Sequence, residues 1–315
     1  MRIVMTGATG FIGSAVLHSL ARVRDAQPGG LHLTALGREA RHTGAAAPWD
    51  AWHPADLSAP ASLARSCQDA DVLLHLGGTL SPDARTCHTV NVAGTAALMA
   101  EARRARVPRI IHLSTAAVYG RGPHHGLDVD EIEPAPVSPA SASRLEAERH
   151  TLAAGATVLR PGLVLGPGDR WVVPALRELA ERVPALWDGG RSRHSAVTVA
   201  RLADLITALT LRAEPLPAGV LHASHPRPVT TRELLTSLAE LGVLGPLTAS
   251  WSWDRCLAAF RAADGRISER QFHLLAQDHW YLSEAAWRRA GVDPGPPPHL
   301  ELVRAADWYR GLVTA

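Results

Sequence analysis

The 315-residue chain predicts an α/β fold, a doubly wound parallel sheet carrying a smaller, mostly helical C-terminal lobe. Three observations predict it. Arg2-Ile3-Val4-Met5-Thr6 is a short apolar run that enters glycines spaced G-x-x-G-x-x-G at Gly7, Gly10 and Gly13, and an amphipathic segment leaves them. Up to about residue 165, strand-like apolar runs alternate with helical patterns, which fixes a parallel sheet with right-handed crossovers. From Trp171 onward the pattern turns mostly helical.

The first element is the most informative. A strand, a tight turn and a helix start need glycine for three separate reasons. One position requires an unusual φ, one lets the backbone approach a pyrophosphate, and one lets the helix sit close on its strand. The free N–H groups of the helix's first turn then face phosphates. Residues 13–24 continue as a helix, with Ile12, Val16, Leu17 and Leu20 at helical spacing, and Pro28-Gly29-Gly30 breaks it. Residues 31–36 alternate towards a second strand that ends in Gly37-Arg38. An acidic residue there would bond a ribose 2′-hydroxyl. Arg38 instead offers a planar, permanently charged fork to a 2′-phosphate, so NADP(H) is the expected cofactor.

Residues 42–52 are Ala-rich and read as a loop; Arg41 beside them is a second, solvated arginine. Asp56 and Leu57 lie just past a strand end, and a helix is expected to about Ser66. Residues 71–78 form a buried strand ending His75-Leu76-Gly77-Gly78, where small residues let a ribose pass. A long helix over 82–106 contains Asn91-Val92-Ala93-Gly94-Thr95. The next strand, 109–114, runs into Ser114-Thr115-Ala116-Ala117-Val118-Tyr119-Gly120. Residues 122–139 read as a loop, 145–154 as a helix, and 157–162 as a strand ending Arg160-Pro161-Gly162. Short strands are expected near 185–187, 197–199 and 219–221.

The glycine turn with Thr6, Thr9, Phe11 and Ile12 around it, the H-L-G-G run, the N-x-x-G-T helix and the S-T-x-x-V-Y-G motif together resemble the extended short-chain dehydrogenase/reductase family, the NAD-dependent epimerase/dehydratase group. The resemblance spans about residues 1–241. It implies a Rossmann NADP-binding domain over 1–165 and a mainly substrate-binding lobe over 166–315, with some lobe segments returning to the first domain. It also implies a cofactor site of Gly7, Thr9, Gly10, Phe11, Ile12, Gly13, Arg38, Asp56, Leu57, Leu76, Gly77, Gly78, Asn91, Ser114, Arg144 and Pro161. Asn91 would brace the neighbouring strand's backbone, and Asp56 would contact adenine or cap a helix.

Family members work with a Ser/Thr, a Tyr and a Lys. Thr115 takes the first role, positioning the substrate oxygen. The tyrosine, about twenty-five residues later at the head of Y-x-x-x-K, falls on Ala140, and the lysine falls on Arg144. The chain has no lysine at all, since its 32 basic residues are all arginine, so arginine at 144 carries little meaning. Alanine in place of a phenol with pKa near 10 is a chemical change. The missing tyrosine, the lysine-free composition and the aromatics Trp251, Trp253, Phe260, Phe272, His273, Trp280 and Tyr281 resemble the atypical ketoreductases of actinomycete polyketide antibiotic pathways, the angucyclinone ketoreductases among them. That resemblance implies NADPH-dependent reduction of a ketone on an aromatic polyketide, with the proton drawn from the substrate's own phenol. A non-catalytic NADP(H)-binding regulator and a sugar-nucleotide-modifying enzyme are the alternatives. The aromatics are expected to form platforms for a flat ligand, or else lobe core or a dimer face. His124 and His125 lie in the loop that borders substrate in relatives and are a second candidate proton source.

A net charge of +2 with scattered arginines leaves no nucleic-acid footprint. No apolar run reaches membrane-spanning length and the first residues are already core strand, so a cytoplasmic protein without membrane contact is expected. Cys67, Cys87 and Cys256 are odd in number and far apart, fitting reduced thiols, and no metal-ligand spacing occurs. The expected partners are a small aromatic ketone and, through the lobe, a second copy of the chain.

Overall fold

The computed structural model describes residues 1–39, 47–247 and 249–312. The segment of the expected loop from 42 to 46 and Arg41 lie outside them. The first half contains β1 (Arg2–Thr6), α1 (Phe11–Ala26), β2 (His32–Gly37), β3 (Ala51–Pro54), β4 (Val72–His75), α2 (Ala84–Cys87), α3 (Gly94–Arg104), β5 (Arg109–Leu113), β6 (His124–Leu127), α4 (Pro139–Ala153), β7 (Thr157–Arg160) and β8 (Leu163–Leu165). The second half contains α5 (Val172–Arg182), β9 (Leu186–Trp187), β10 (Arg193–His194), β11 (Ala196–Thr198), α6 (Val199–Leu211), β12 (Gly219–His222), β13 (Val229–Thr230), α7 (Thr231–Glu240), β14 (Ser250–Trp251), α8 (Trp253–Ala262), α9 (Glu269–Ala276), β15 (His279–Tyr281), α10 (Glu284–Ala290), α11 (Pro298–Glu301) and α12 (Ala306–Gly311).

Seven strands form the main sheet in the order β12-β7-β5-β4-β1-β2-β3, every pair parallel. The order reverses between β1 and β4, and ligands of open α/β sheets bind beyond the strand ends at such a point. One face buries Ile3, Met5, Leu33 and Ile111 under α1 and α6, with Val16, Leu20, Leu205 and Leu209 facing them. The other face buries Val4, Leu73 and Ile110 under Leu98 and Met99 of α3. A third core, in the C-terminal lobe, gathers Leu176, Leu179, Trp187, Leu235, Phe260 and Phe272. Two pieces from beyond residue 165 belong to the sheet body: α6 packs on the α1 side, and β12 pairs with β7 at the sheet edge.

Several local readings change. Residues 51 and 52 are strand, because Ala51 and Trp52 pair with β2 and the Trp52 indole covers Gly37, where a Cβ would lie 2.2 Å from the ring. The helix expected to Ser66 is only a 3₁₀ turn at Pro60–Leu63, ended by a left-handed Arg65 at φ 61°. The helix over 82–106 contains a π-helical stretch, His88–Ala93, which carries Asn91. The loop over 122–139 holds β6, which pairs with β15. Helix α4 starts six residues early, since Ser138 and Ser141 form a capping box with Pro139 in the first turn.

Candidate active site

The β1–α1 turn assigns its three glycines different tasks. Gly7 has φ +73°, and a Cβ there would sit 2.6 Å from the Gly77 nitrogen. A Cβ on Gly13 would lie 2.0 Å from the Gly7 carbonyl oxygen, so this glycine lets α1 close on the turn. Gly10 caps α1 without a side-chain bond, and a Cβ there would meet only the Gly7 oxygen at 3.3 Å. Gly10 also lines the cleft. Thr6 ties the two strand ends of the switch point together: its Oγ1 accepts from the Gly77 N–H at 3.0 Å and bonds His75 Nδ1 at 2.8 Å. The other His75 nitrogen bonds Thr95 Oγ1 at 2.8 Å, and burial pushes this imidazole down to about 3.

Two cavities meet at this turn and share Thr9, Gly10, Leu76 and Gly78 in their walls. The smaller, of about 420 Å³, is bounded by Gly7, Arg38, Asp56, Leu57 and Gly77. The Arg38 side chain is exposed and makes no hydrogen bond or ion pair among the described residues. Asp56 closes its own turn, its Oδ1 accepting from the Ser58 N–H at 2.8 Å, and it does not cap the next helical turn, the short 3₁₀ one at Pro60–Leu63. The Leu57 carbonyl packs under Gly94, where a Cβ would come within 2.4 Å, so α3 seats this wall.

The larger cavity, of about 690 Å³, is lined by Phe11, Ile12, Gly13, Ser114, Thr115, Ala140, Arg144 and Pro161. Thr115 Oγ1 accepts from the Ala117 N–H at 3.1 Å, which leaves its hydroxyl proton to give. Ser114 faces the other way and donates to Glu148 Oε1. Arg160 fixes that buried carboxylate with Nε to Oε1 at 3.0 Å and Nη2 to Oε2 at 2.5 Å, and donates from Nη1 to the Tyr119 hydroxyl at 2.8 Å. Tyr119 passes the chain on to His222 Nε2 at 2.6 Å, whose Nδ1 donates to the Leu282 carbonyl at 3.0 Å. Burial pushes His222 down to about 4. Arg144 is different. Its Nη1 reaches the Leu113 carbonyl at 3.4 Å, its Nε is buried with no partner, and it has no carboxylate within ion-pair distance among the described residues. Burial lowers its pKa from the usual arginine value.

Asn91 braces backbone as expected, that of the loop after β4. It lines neither cavity; its Oδ1 accepts from the Thr79 N–H at 2.8 Å, and its Nδ2 donates to the Thr79 carbonyl at 3.1 Å and to Ser143 Oγ at 2.9 Å. It positions the loop after β4 and joins it to α4.

All three phenols are bonded inside the protein. Tyr119 is in the chain above, Tyr281 bonds His124 Nδ1 at 2.8 Å, and Tyr309 accepts from the Gly166 N–H at 2.6 Å and donates to Asp169 Oδ2 at 3.2 Å. His124 and His125 depart from the expected loop beside the substrate and lie on β6. His124 is buried on β6 against Tyr281, His125 pairs with Asp278 at 3.1 Å, and neither lines the cleft. Most of the lobe aromatics take the second of their two expected places, the lobe core. Phe272 stacks on Phe260 and meets Trp187 edge-on, while Trp251 and Trp253 pack on the same core. Trp280 lies over Gly126 with Arg193 against its ring. None of these residues lines the cleft. The aromatic side chains that do, besides Phe11, are Trp308 and Trp171, the latter 67% exposed, with the exposed Leu80 in the same wall. Ser138, Ser141 and Arg170 also line it, and sequence reasoning does not single them out. The Ser138-Pro139-Ala140-Ser141 capping signal could have found the two serines.

The residues fit a nicotinamide dinucleotide. Gly10 leaves space where a Cβ would crowd a pyrophosphate, the first-turn N–H groups of α1 lack a side-chain cap, and Arg144 holds an orphaned buried donor beside Gly78. Among the described residues no group of three His, Cys, Asp or Glu side chains could hold a metal, and no helix is long and apolar enough to cross a membrane.

Comparison with known proteins agrees with this geometry. The profile of the NAD dependent epimerase/dehydratase family matches residues 3–219. A 4-hydroxy-2-methyl-3-oxo-4-farnesyl-3,4-dihydroquinoline-1-oxide ketoreductase from Stigmatella aurantiaca is 31% identical over 76% of this chain and 73% of its own length. A 2-alkyl-3-oxoalkanoate reductase from Stenotrophomonas maltophilia is 28% identical over 93% of this chain and 95% of its own. Among solved structures, MoeE5 in complex with UDP-glucuronic acid and NAD superposes with a TM-score of 0.73 at 22% identity, covering 99% of this chain and all, 100%, of that one. At that identity the likeness speaks for the fold.

Proposed function

The chain belongs to the NAD dependent epimerase/dehydratase family, and from that premise we propose that it is an NADPH-dependent ketoreductase acting on a flat, fused-ring ketone of the aromatic polyketide kind. The observation that carries the reading is the large cleft, where Thr115, Ala140 and Arg144 share one wall system beside the glycine turn. Two relatives are reductases of ketones by their names, one of them of a fused-ring ketone. The exposed Trp171 and Leu80 in the cleft wall suit a planar apolar ligand.

The Gly10 backbone and the first turn of α1 hold the pyrophosphate. Arg38 takes the 2′-phosphate and Arg144 the nicotinamide ribose. A bound dinucleotide supplies the hydride. Thr115 donates a hydrogen bond to the ketone oxygen, which orients it and stabilises the charge that develops there. Its hydroxyl is a poor acid, and Ala140 offers none. A phenol next to the ketone has the functional group and pKa of the absent tyrosine, so the substrate itself delivers the proton. A positioned general acid contributes roughly 10²–10⁴-fold. Methylating that phenol should therefore slow NADPH consumption at least a hundredfold while NADPH binding stays unchanged, and Ala140→Tyr should fail to raise the rate. Full activity on the methyl ether would refute substrate assistance. No NADPH consumption with any hydroxylated fused-ring ketone would refute the reductase reading.

A further inference from the structure

One part of the large cleft's wall is built from two distant stretches of chain. Gly168, Arg170 and Trp171 supply one stretch, and Trp308 of α12 supplies the other. Asp169 joins them. Its carboxylate is buried, and among the described residues its hydrogen bonds all come from neutral donors. Oδ1 accepts from the N–H groups of Trp171 at 2.8 Å and Val172 at 2.9 Å. Oδ2 accepts from the Val173 N–H at 3.0 Å and from the Tyr309 hydroxyl at 3.2 Å. The Tyr309 oxygen also accepts from the Gly166 N–H at 2.6 Å, and Trp308 Nε1 donates to the Asp169 carbonyl at 3.3 Å. Two neighbouring side chains of α12 thus hold residues 166 and 169, and the carboxylate between them fixes the start of α5. Gly168 lies against the glycine turn as well, where a Cβ would come 2.7 Å from the Phe11 ring.

This latch carries Trp171, which is 67% exposed and whose indole makes no hydrogen bond or ring contact among the described residues. Tryptophan is highly buried on average. An open indole on a backbone bonded at three successive N–H groups is preorganised apolar surface, which meets a ligand face at reduced ordering cost. Leu80 adds exposed apolar surface to the same cleft. Thr115 and both indoles line this one cavity, so a single ketone can reach all three. A second fused ring brings more apolar area and a stacking face, which a wall of indoles rewards.

We propose that Trp171 and Trp308 are specificity-determining residues of this cleft, taking the rings remote from the ketone and so favouring fused-ring over single-ring substrates. Tyr309, acting through Asp169, is the positioning residue of that wall. This rests on the ketoreductase reading for what lies at Thr115.

The test uses the full chain saturated with NADP⁺, which cannot reduce the ketone during a calorimetric titration. Two hydroxyketones differing by one ring are compared, 1-hydroxy-2-acetonaphthone and 2′-hydroxyacetophenone. The two-ring ketone should bind at least tenfold tighter. Trp171→Ala and Trp308→Ala should each cut that ratio at least threefold and leave NADP⁺ affinity within twofold. Trp171→Phe, which keeps an aromatic face, should retain most of the ratio. Tyr309→Phe should lower the ratio while the one-ring ketone stays within twofold, whereas a merely structural role would weaken both ketones alike. A ratio unchanged in both alanine variants would overturn the proposal, as would equal affinity of the two ketones for the unmodified chain. NADP⁺ weakened as much as the two-ring ketone would give the wall to the cofactor and also overturn it. Turnover with NADPH is a separate readout. Ring preference in binding, lost in the variants, with no NADPH consumption on any ketone would support the wall and fault the reductase reading.

Discussion

Arg38 stands just past the end of β2, exposed and with its side chain unpaired among the described residues, on the wall of the smaller cavity. A guanidinium free of internal partners breaks no protein bond when it turns to a 2′-phosphate. NADPH should therefore bind at least tenfold tighter than NADH, a difference of about 1.4 kcal/mol, and Arg38→Ala should remove most of it. Titration of both cofactors against both proteins checks this, and equal affinities in the unmodified chain would contradict it. At this scale the sequence read well wherever a motif fixes the backbone. Thr115 was legible because the strand end before it leaves its side chain one direction to take, Gly10 because the turn fixes where its bare backbone lies, and Arg144 because it sits four residues past Ala140 on one helix. The lobe aromatics were not legible. A count of Trp251, Trp253, Phe260 and Phe272 carries no direction, and a large ring stabilises a core and a pocket wall by the same loss of apolar surface to water. Trp171, which does reach the cleft, comes directly after Gly168-Asp169-Arg170 with no periodic pattern before it.

The β1–α1 element separates folding from binding within seven residues. Gly10 and Gly13 are both glycines of the turn, yet their surroundings differ by more than an ångström of clearance, 3.3 against 2.0 Å to the Gly7 oxygen. Gly10→Val should keep the fold and lose NADPH binding. Gly13→Val should lose the fold, because the clash is with backbone that cannot move aside. Circular dichroism and cofactor titration on the two variants distinguish these outcomes, and a folded Gly13→Val that binds NADPH would contradict the packing argument. Elements held by near neighbours were the readable ones: the helix and strand periods of 3.6 and 2 appear within a short window. β6 was missed because its partner, β15, lies about 150 residues away, as the register His124 to His279 records. The start of β3 was missed because Ala51 carries little strand signal and its edge position depends on Trp52 reaching across to Gly37.

Across the whole molecule, His75, His194 and His222 sit where water does not reach. Burial holds His75 at about 3, His194 at about 3 and His222 at about 4. Each is neutral in the fold and titrates near 6.5 once the chain unfolds. Unfolding therefore takes up protons below about pH 6.5, and stability present above that value is lost as pH falls towards the folded values. Each group contributes a slope of about 1.4 kcal/mol per pH unit in that window, so together they make roughly 4 kcal/mol per unit. Urea midpoints measured at pH 7, 6 and 5 should fall accordingly; an unchanged midpoint from 7 to 5 would mean these sites are hydrated.

The return of α6 and β12 to the main sheet bears on how this chain could be recombined with a relative. The C-terminal lobe is not a tail. It is threaded through the dinucleotide half, since β12 closes one margin of that half against β7. A chimera made by a single crossover after β8 would bring a foreign margin strand along with the foreign lobe. If the two did not match, β7 would be left with a row of open backbone groups that invite pairing with other molecules. In such a scaffold a lobe is exchanged whole only by splicing on both sides of α6 and β12, so that the margin strand stays with its own sheet.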